Sequence, residues 1–267
     1  MNKIKLGMPI LFEYNNIEDN LILAKNKLNL DFIELNLNLS YCRKEMEEGK
    51  LKSLLDKYQL LSTLHFFDEA DFGSYDEVVN GYLILLDKYL KLGKDYIKYL
   101  VVHLIPGPYV TISGIKNYIY EKEFNEYIER FINNLYKVKD ICDKYNVNLV
   151  LENTDIIPSF YIKTYERLLI ENFSFCYDIG HDHLSNDIIY NYQLQKELPF
   201  KEFHFHDGLD NKKCHLTLGS GSIDLNRYFN LACKNNAWIN IEVKQKEDII
   251  NSVKYINKLI NKNISIK

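Results

Sequence analysis

Short apolar runs alternate with longer amphipathic stretches along the whole chain. The short runs are rich in β-branched and aromatic residues and predict strands, whereas the longer stretches repeat apolar residues at the three- and four-residue spacing of a helix. Clear helical patterns cover residues 77–93 and 123–145. Eight strands are predicted, at residues 4–10, 32–37, 60–66, 97–104, 147–152, 173–178, 200–206 and 238–243.

This alternation predicts the α/β class and a single (β/α)₈ TIM barrel, with residues 1–267 forming one domain. An open doubly wound sheet would need a glycine-rich phosphate loop after the first strand. The segment that follows Ile10, LFEYNNIED, contains no glycine. In a barrel the active site gathers at the C-terminal ends of the strands. The longest loop there, residues 105–118, is expected to form a lid or a substrate wall.

Composition narrows the class of protein. Hydrophobic residues make up 46% of the chain and charged residues 26%, which is ordinary for a globular protein. The net charge of −4 argues against a general affinity for nucleic acid. No apolar run approaches the roughly 18 residues of a membrane span. Five scattered cysteines without a CxxC pair, and no signal-like N-terminus, predict a reduced, cytoplasmic protein without a membrane partner.

Four successive predicted strands end in, or carry near their ends, a side chain that can bind a metal: Glu152, Asp178, His204 and Glu242. An ionised carboxylate in an apolar strand is costly unless it is paired or bound to a metal. Three carboxylates in one barrel mouth would also repel each other, and one divalent cation removes that repulsion. The oxygen-rich set suits Mn²⁺, Mg²⁺, Co²⁺ or Zn²⁺. Taken singly, each acid is equally well explained as a salt-bridge partner or strand-end cap.

Histidines extend the same pattern to the preceding strands. His65 and His103 end the third and fourth strands, so they are predicted to line a substrate pocket. Core histidines bonded to backbone carbonyls are the alternative. His181, in the motif DIGH, is expected to contact a substrate oxygen or bind a second metal. His183 carries a weaker signal.

Two further histidines lie near the seventh strand. His206 has the same strand parity as His204 and is predicted to belong to the substrate-binding residues. Within that set, we expect it to contact and hold a metal ligand. His215 precedes LGSGSID and is also placed at the substrate. Backbone amides at residues 219–222 are predicted to form either an anion site or a plain turn.

The ordered motifs LENT, CYDIGH, EFHFHD, HLTLGSGSID and INIEV resemble the xylose isomerase-like TIM barrel superfamily, which includes sugar isomerases, sugar epimerases and endonuclease IV. The resemblance spans roughly residues 6–244. It implies one divalent metal ion held by Glu152, Asp178, His204 and Glu242. His204 is chosen over His206 because the family histidine lies three residues before an acidic residue, here Asp207.

The resemblance implies a divalent-metal-dependent isomerase or epimerase of a sugar or sugar phosphate. The metal would stabilise a cis-enediolate of a small sugar or polyol, with Glu152 and Glu242 as acid and base and His181 at the developing oxyanion. A homo-oligomer is a further expectation. A dehydratase of the inosose or dehydroshikimate type is an alternative within the same chemistry.

The endonuclease IV branch implies a second alternative, a phosphodiesterase that holds up to three zinc ions and acts at abasic DNA sites. Its pattern would recruit His65, His103, His181 and His215 as well. The chain departs from it at Lys213, where an aspartate is expected, and this lysine is predicted to weaken a third metal site. The isomerase reaction, with no nucleic acid partner, is therefore preferred.

Overall fold

Eight parallel strands close into one barrel in the computed structural model, which describes residues 4–209 and 213–265. The last barrel strand pairs with the first, so the described sheet has no free edge. This confirms the predicted (β/α)₈ barrel, and the strand limits agree with the predicted ones to within two residues. The barrel strands, β1 to β8 in chain order, are Leu6–Pro9, Phe32–Asn36, Leu61–His65, Ile97–Leu104, Asn148–Asn153, Ser174–Asp178, Phe200–Phe205 and Trp238–Ile241.

Helices connect the strands and cover the outside of the barrel. The two clearest predictions are found at Asp76–Gly93 and Phe124–Lys144. Across the described residues, no helix combines the length and apolarity that a bilayer span requires. The remaining helices are Ile17–Leu21, which continues as the π-helix Ile22–Lys27, then Ser40–Glu47, Leu51–Tyr58, Ile119–Lys122, Tyr161–Ile170, Ile179–Leu184, Ile188–Lys196, Leu225–Asn235 and Lys246–Ser265.

The barrel interior has an aromatic floor at its N-terminal end. The ring of Trp238 lies 4.9 Å from that of Phe32 and 5.1 Å from that of Tyr99, measured between centroids. Gly7 is required beside this floor, because a Cβ atom there would lie 2.5 Å from the Phe32 ring. These rings lie at the end of the barrel opposite to the ionisable side chains described below.

Strand alternation sets what lies above the floor, because every second residue of a strand points inward. Val101, Val150 and Cys176 form a small buried apolar cluster inside the barrel, separate from the main core between strands and helices. The next inward positions on these strands are two residues further along, and they carry His103, Glu152 and Asp178. The same parity that buries the apolar cluster therefore delivers ionisable side chains to the mouth.

The long loop after β4 contains a structure that the sequence pattern did not predict. Tyr109–Ile112 and Ile115–Tyr118 pair as an antiparallel hairpin. Its two turn residues, Ser113 and Gly114, both have positive φ (50° and 82°), as a tight two-residue hairpin turn requires. Residues before and after the hairpin help to line a cavity of about 480 Å³ between the loops that follow β3 and β4.

Candidate metal centre

The C-terminal ends of β5 to β8 bring together four side chains that were predicted as metal ligands. One donor atom from each of Glu152, Asp178, His204 and Glu242 lies within 4.8 Å of the others. His204 Nδ1 is 2.9 Å from both Glu152 Oε1 and Glu242 Oε2. All four residues are buried, and Glu242, at 8%, is the most exposed.

The charges of this cluster are balanced by neighbouring cations. Burial alone would raise the pKa of Glu152, but His204 and His103 outweigh it, so the pKa lies well below its usual value. Burial would also raise the pKa of Glu242, but Lys244 and His204 outweigh burial and hold this pKa well below its usual value. The carboxylates are therefore ionised, which is the form that binds a metal ion.

The donor set fits a divalent ion. Among the described residues, both ring nitrogens of His204 and Glu242 Oε2 are buried and have no aligned hydrogen-bond partner in the protein; Nδ1 and Oε2 are the pair that lie 2.9 Å apart at the barrel mouth. Buried polar atoms are nearly always partnered, so these two donor atoms point to a ligand between them. Two glutamates, one aspartate and one histidine form an oxygen-rich set that suits Mn²⁺, Mg²⁺, Co²⁺ or Zn²⁺.

Asp178 is held from three sides. Its Oδ1 accepts the backbone N–H of His181 at 2.6 Å, and Asn153 accepts the Asp178 N–H at 3.0 Å. His206 Nε2 lies 2.9 and 3.0 Å from the two Asp178 oxygens, while His206 Nδ1 accepts the N–H of His215 at 2.8 Å. The Nε2 atom of His206 therefore carries the hydrogen atom and donates a hydrogen bond to Asp178. Because His206 is fully buried, this contact places it behind a candidate ligand.

His65 and His103 meet at one oxygen of Glu152. Their Nε2 atoms lie 3.1 and 3.5 Å from Glu152 Oε2. Burial alone would lower the pKa of His65, but Glu152 and other nearby carboxylates raise it to about 10. Donor atoms of His65, His103 and Glu152 lie within 4.8 Å of one another, so they form a second group with metal-ligand geometry.

His181, His206 and His215 form a third group of donors within 4.8 Å. The rings of His206 and His215 stack at 4.1 Å, and His215 Nε2 is 3.7 Å from Glu242 Oε1. Both ring nitrogens of His206 already have partners, Asp178 and the His215 N–H, so this group leaves a metal only the imidazoles of His181 and His215. The exposed Lys213 lies where an aspartate was expected. His183 lies apart from it and is 3.2 Å from Ser222 Oγ.

The loop at residues 219–222 does bind an anion, and the anion is the chain's own Asp207. Asp207 Oδ2 accepts the N–H groups of Gly219 and Gly221 at 2.9 and 2.8 Å. Its Oδ1 accepts those of Gly208 and Ile223 at 2.9 and 3.2 Å. The Gly219 and Gly221 amides are therefore already satisfied, which overturns the alternative of an external anion site and agrees with the alternative of a turn.

Sequence reasoning missed a polar layer directly below His204. Glu34 Oε2 lies 3.2 Å from His204 Nε2, and Glu34 Oε1 accepts the Asn240 side-chain amide at 2.8 Å. The Thr63 hydroxyl lies 3.5 Å from Glu34 Oε2 and 3.4 Å from Glu202 Oε1. Burial and the charge of Glu34 raise the pKa of Glu202 well above its usual value. The signal that marks both acids is their inward parity in the apolar strands FIELN and FKEFHF.

Lys244 is a second residue that sequence reasoning missed. It follows Glu242 by two residues, and its ammonium pairs with Glu242 Oε1. Its side chain is 56% exposed, so it stands at the rim, where its charge helps to keep Glu242 ionised.

Comparison with known proteins agrees with the barrel fold. The model of one family, described as xylose isomerase-like TIM barrel, matches residues 24–259. The chain belongs to the xylose isomerase-like TIM barrel family. It is similar to the uncharacterized protein MJ1614 of Methanocaldococcus jannaschii, with 26% identity over 259 residues that cover 91% of this chain and 93% of that protein.

Solved structures of xylose isomerase-like barrels superpose over nearly the whole chain. A D-tagatose 3-epimerase-like protein aligns with a TM-score of 0.73 and 17% identity, covering 99% of this chain and 100% of its own. The IolI protein with a bound zinc atom aligns with a TM-score of 0.71 and 16% identity, covering 97% and 99%. At these identities the likeness establishes the fold.

Proposed function

We propose that this chain is a divalent-metal-dependent isomerase or epimerase that acts on a sugar or sugar phosphate. The observation that carries the proposal is the convergence of Glu152, Asp178, His204 and Glu242 within 4.8 Å at the barrel mouth. The likeness to an epimerase-like barrel and to a zinc-containing one supports it.

The protein's own groups supply the proton transfers. Glu152 and Glu242 come from the two outer strands of the four, and both are ionised and therefore able to accept a proton from carbon. Either carboxylate removes the proton next to the substrate carbonyl, and the other returns one. When bound, a divalent ion would polarise that carbonyl and stabilise the negative charge that develops on its oxygen.

The surrounding histidines orient the substrate in this proposal. The half-buried rings of His103, His181 and His215 reach the mouth, and buried His65 contacts Glu152 from the side of β3. His181 is assigned to the developing oxyanion. His206 acts by holding Asp178 in place.

The test is proton exchange between the substrate and the solvent. Protein loaded with Mn²⁺ is incubated in D₂O with a panel of ketopentoses and ketohexoses and their phosphates, and deuterium incorporation and product formation are followed by NMR. Glu152→Gln and Glu242→Gln are each expected to abolish turnover and keep a native circular dichroism spectrum. Loss of a general base costs about 10²–10⁴-fold. Bound metal is measured in each variant, because it separates loss of the ion from loss of the base.

Glu171→Gln is the matched control, because Glu171 is bonded to Tyr136 and Arg167 on the outside of the barrel. It should retain full activity. Wild-type turnover in either Glu152→Gln or Glu242→Gln would contradict the two-glutamate mechanism. Absence of exchange with every sugar tested would contradict the proposed activity itself.

The second and third donor groups favour one alternative, a phosphodiesterase with several zinc ions. His65, His103 and Glu152 form one such group, and His181 and His215 supply the imidazoles of the other, next to His206, whose two nitrogens already have partners. Close to three zinc ions per chain, together with cleavage of an oligonucleotide containing an abasic site, would favour this activity. One ion per chain and no cleavage favour the isomerase or epimerase.

A further inference from the structure

His204 faces two different environments through its two ring nitrogens. Nδ1 faces the barrel mouth, 2.9 Å from Glu152 Oε1 and from Glu242 Oε2. Nε2 faces the polar layer below, where it has no aligned hydrogen bond among the described residues and Glu34 Oε2, at 3.2 Å, is within reach as an acceptor. The ring is fully buried, so water does not compete for either nitrogen.

We propose that Glu34 is a positioning residue for the candidate metal centre, and that its carboxylate accepts the Nε2–H of His204 and so directs the Nδ1 lone pair at the metal. The inference rests on the metal-dependent function proposed above. A neutral imidazole has one N–H and one lone pair, and the group bonded to one nitrogen decides which nitrogen is left to bind. Carboxylate partners of this kind also make a metal-binding histidine more basic.

Glu34 is itself fixed, as a positioning role requires. The Asn240 side chain donates to Oε1 at 2.8 Å, and the Thr63 hydroxyl lies 3.5 Å from Oε2. Glu34, Thr63 and Asn240 belong to β2, β3 and β8, and all three are at most 1% exposed. Strands β2 and β3, which supply none of the four candidate ligands, and β8, which Glu242 follows, therefore hold the Glu34 carboxylate next to His204.

Glu202 offers a matched comparison within the same layer. Its Oε1 is 3.4 Å from the Thr63 hydroxyl, and its Oε2 has no aligned partner among the described residues. It lies as deep in the barrel as Glu34, and both acids have an oxygen within 4.8 Å of a His204 nitrogen. Of the two, Glu34 alone makes the closer ion-pair contact, at 3.2 Å. Substituting one acid or the other thus separates the contact with His204 from the burial of a carboxyl group.

The experiment compares Glu34→Gln with Glu202→Gln. Each protein is stripped of metal, and its dissociation constants for Mn²⁺ and Zn²⁺ are measured by competition with a chelating dye. Glu34→Gln should weaken binding about 10–100-fold, the usual effect of removing the partner of a metal-binding histidine. Glu202→Gln should bind as the wild type does. Wild-type affinity in Glu34→Gln, or equal loss in both variants, would overturn the assignment.

A measurement on the wild-type protein keeps the test decisive if Glu34→Gln does not fold. Histidine ¹⁵N NMR of the zinc-loaded protein should show His204 protonated at Nε2 and bound to zinc through Nδ1. Zinc on Nε2 would overturn the inference. Metal binding without sugar turnover would count against the proposed function alone, whereas an altered nitrogen assignment counts against Glu34 alone.

Discussion

Asp207→Asn tests how much the buried Asp207 carboxylate contributes to the free energy of unfolding. Asp207 is 1% exposed, and its carboxylate accepts four backbone N–H groups from Gly208, Gly219, Gly221 and Ile223. Asparagine keeps one oxygen, which can serve two of these donors. The NH₂ group that replaces the second oxygen is itself a donor and faces the two remaining backbone N–H groups. The hydrogen bonds of those two N–H groups are therefore lost.

The structure gives the size of the effect. A hydrogen bond to a charged group contributes about 1.5–3 kcal/mol. Loss of two such bonds should therefore lower the free energy of unfolding by about 3–6 kcal/mol. The control is Asp56→Asn, because Asp56 is 65% exposed and pairs with Lys52 on a helix surface. A pair of that kind contributes only about 0.3–0.5 kcal/mol.

Urea unfolding followed by the fluorescence of the single tryptophan, Trp238, measures the global effect. Hydrogen exchange at the Gly219 and Gly221 amides measures the local one, because both should exchange faster in the variant. A loss of stability no larger than that of Asp56→Asn, with both amides still protected, would refute the assignment of Asp207 as the anion of this loop.

Two further predictions concern packing and metal binding. Gly180→Ala should destabilise the protein by about 1–3 kcal/mol, because its Cβ would lie 1.9 Å from the His206 ring that holds Asp178, and chemical denaturation measures this loss. Gly81→Ala is the helical control: it has open space around it and should stabilise by about 0.5–1 kcal/mol, so equal effects in the two variants would contradict the packing argument. Adding Mn²⁺ or Zn²⁺ at about 100 times its dissociation constant should stabilise the fold by about 2.7 kcal/mol, read as a rise in Tm that is reversed by EDTA, and an unchanged Tm would contradict the metal site.

The sequence was sufficient for the barrel because its periodicities differ clearly between strands and helices. The run at residues 97–104 alternates within a buried sheet, and its limits are those of β4. Glu152, Asp178, His204 and Glu242 could be selected because each is an ionisable residue at or near the end of an apolar run. Closure of the sheet then had to bring them together.

Other features depend on contacts between distant parts of the chain. The amides near Gly219 were recognisable as either an anion site or a plain turn, but nothing local identified Asp207 as their acceptor. Glu34 was overlooked because a single acid in an apolar strand has many explanations, and its contact with His204 exists only in the closed barrel. The hairpin after β4 lacks the usual Asn-Gly turn, since Ser113 takes the first positive φ.

The pairing of β8 with β1 also decides when, during synthesis, the barrel can close and the candidate metal centre can assemble. Trp238–Ile241 is synthesised after the other seven barrel strands, and it provides both the pairing with Leu6 and the neighbouring Glu242. A nascent chain that ends before it exposes two unpaired strand edges and lacks one acidic donor. In the proposed metal centre, tight ion binding would therefore report that β8 has paired with β1.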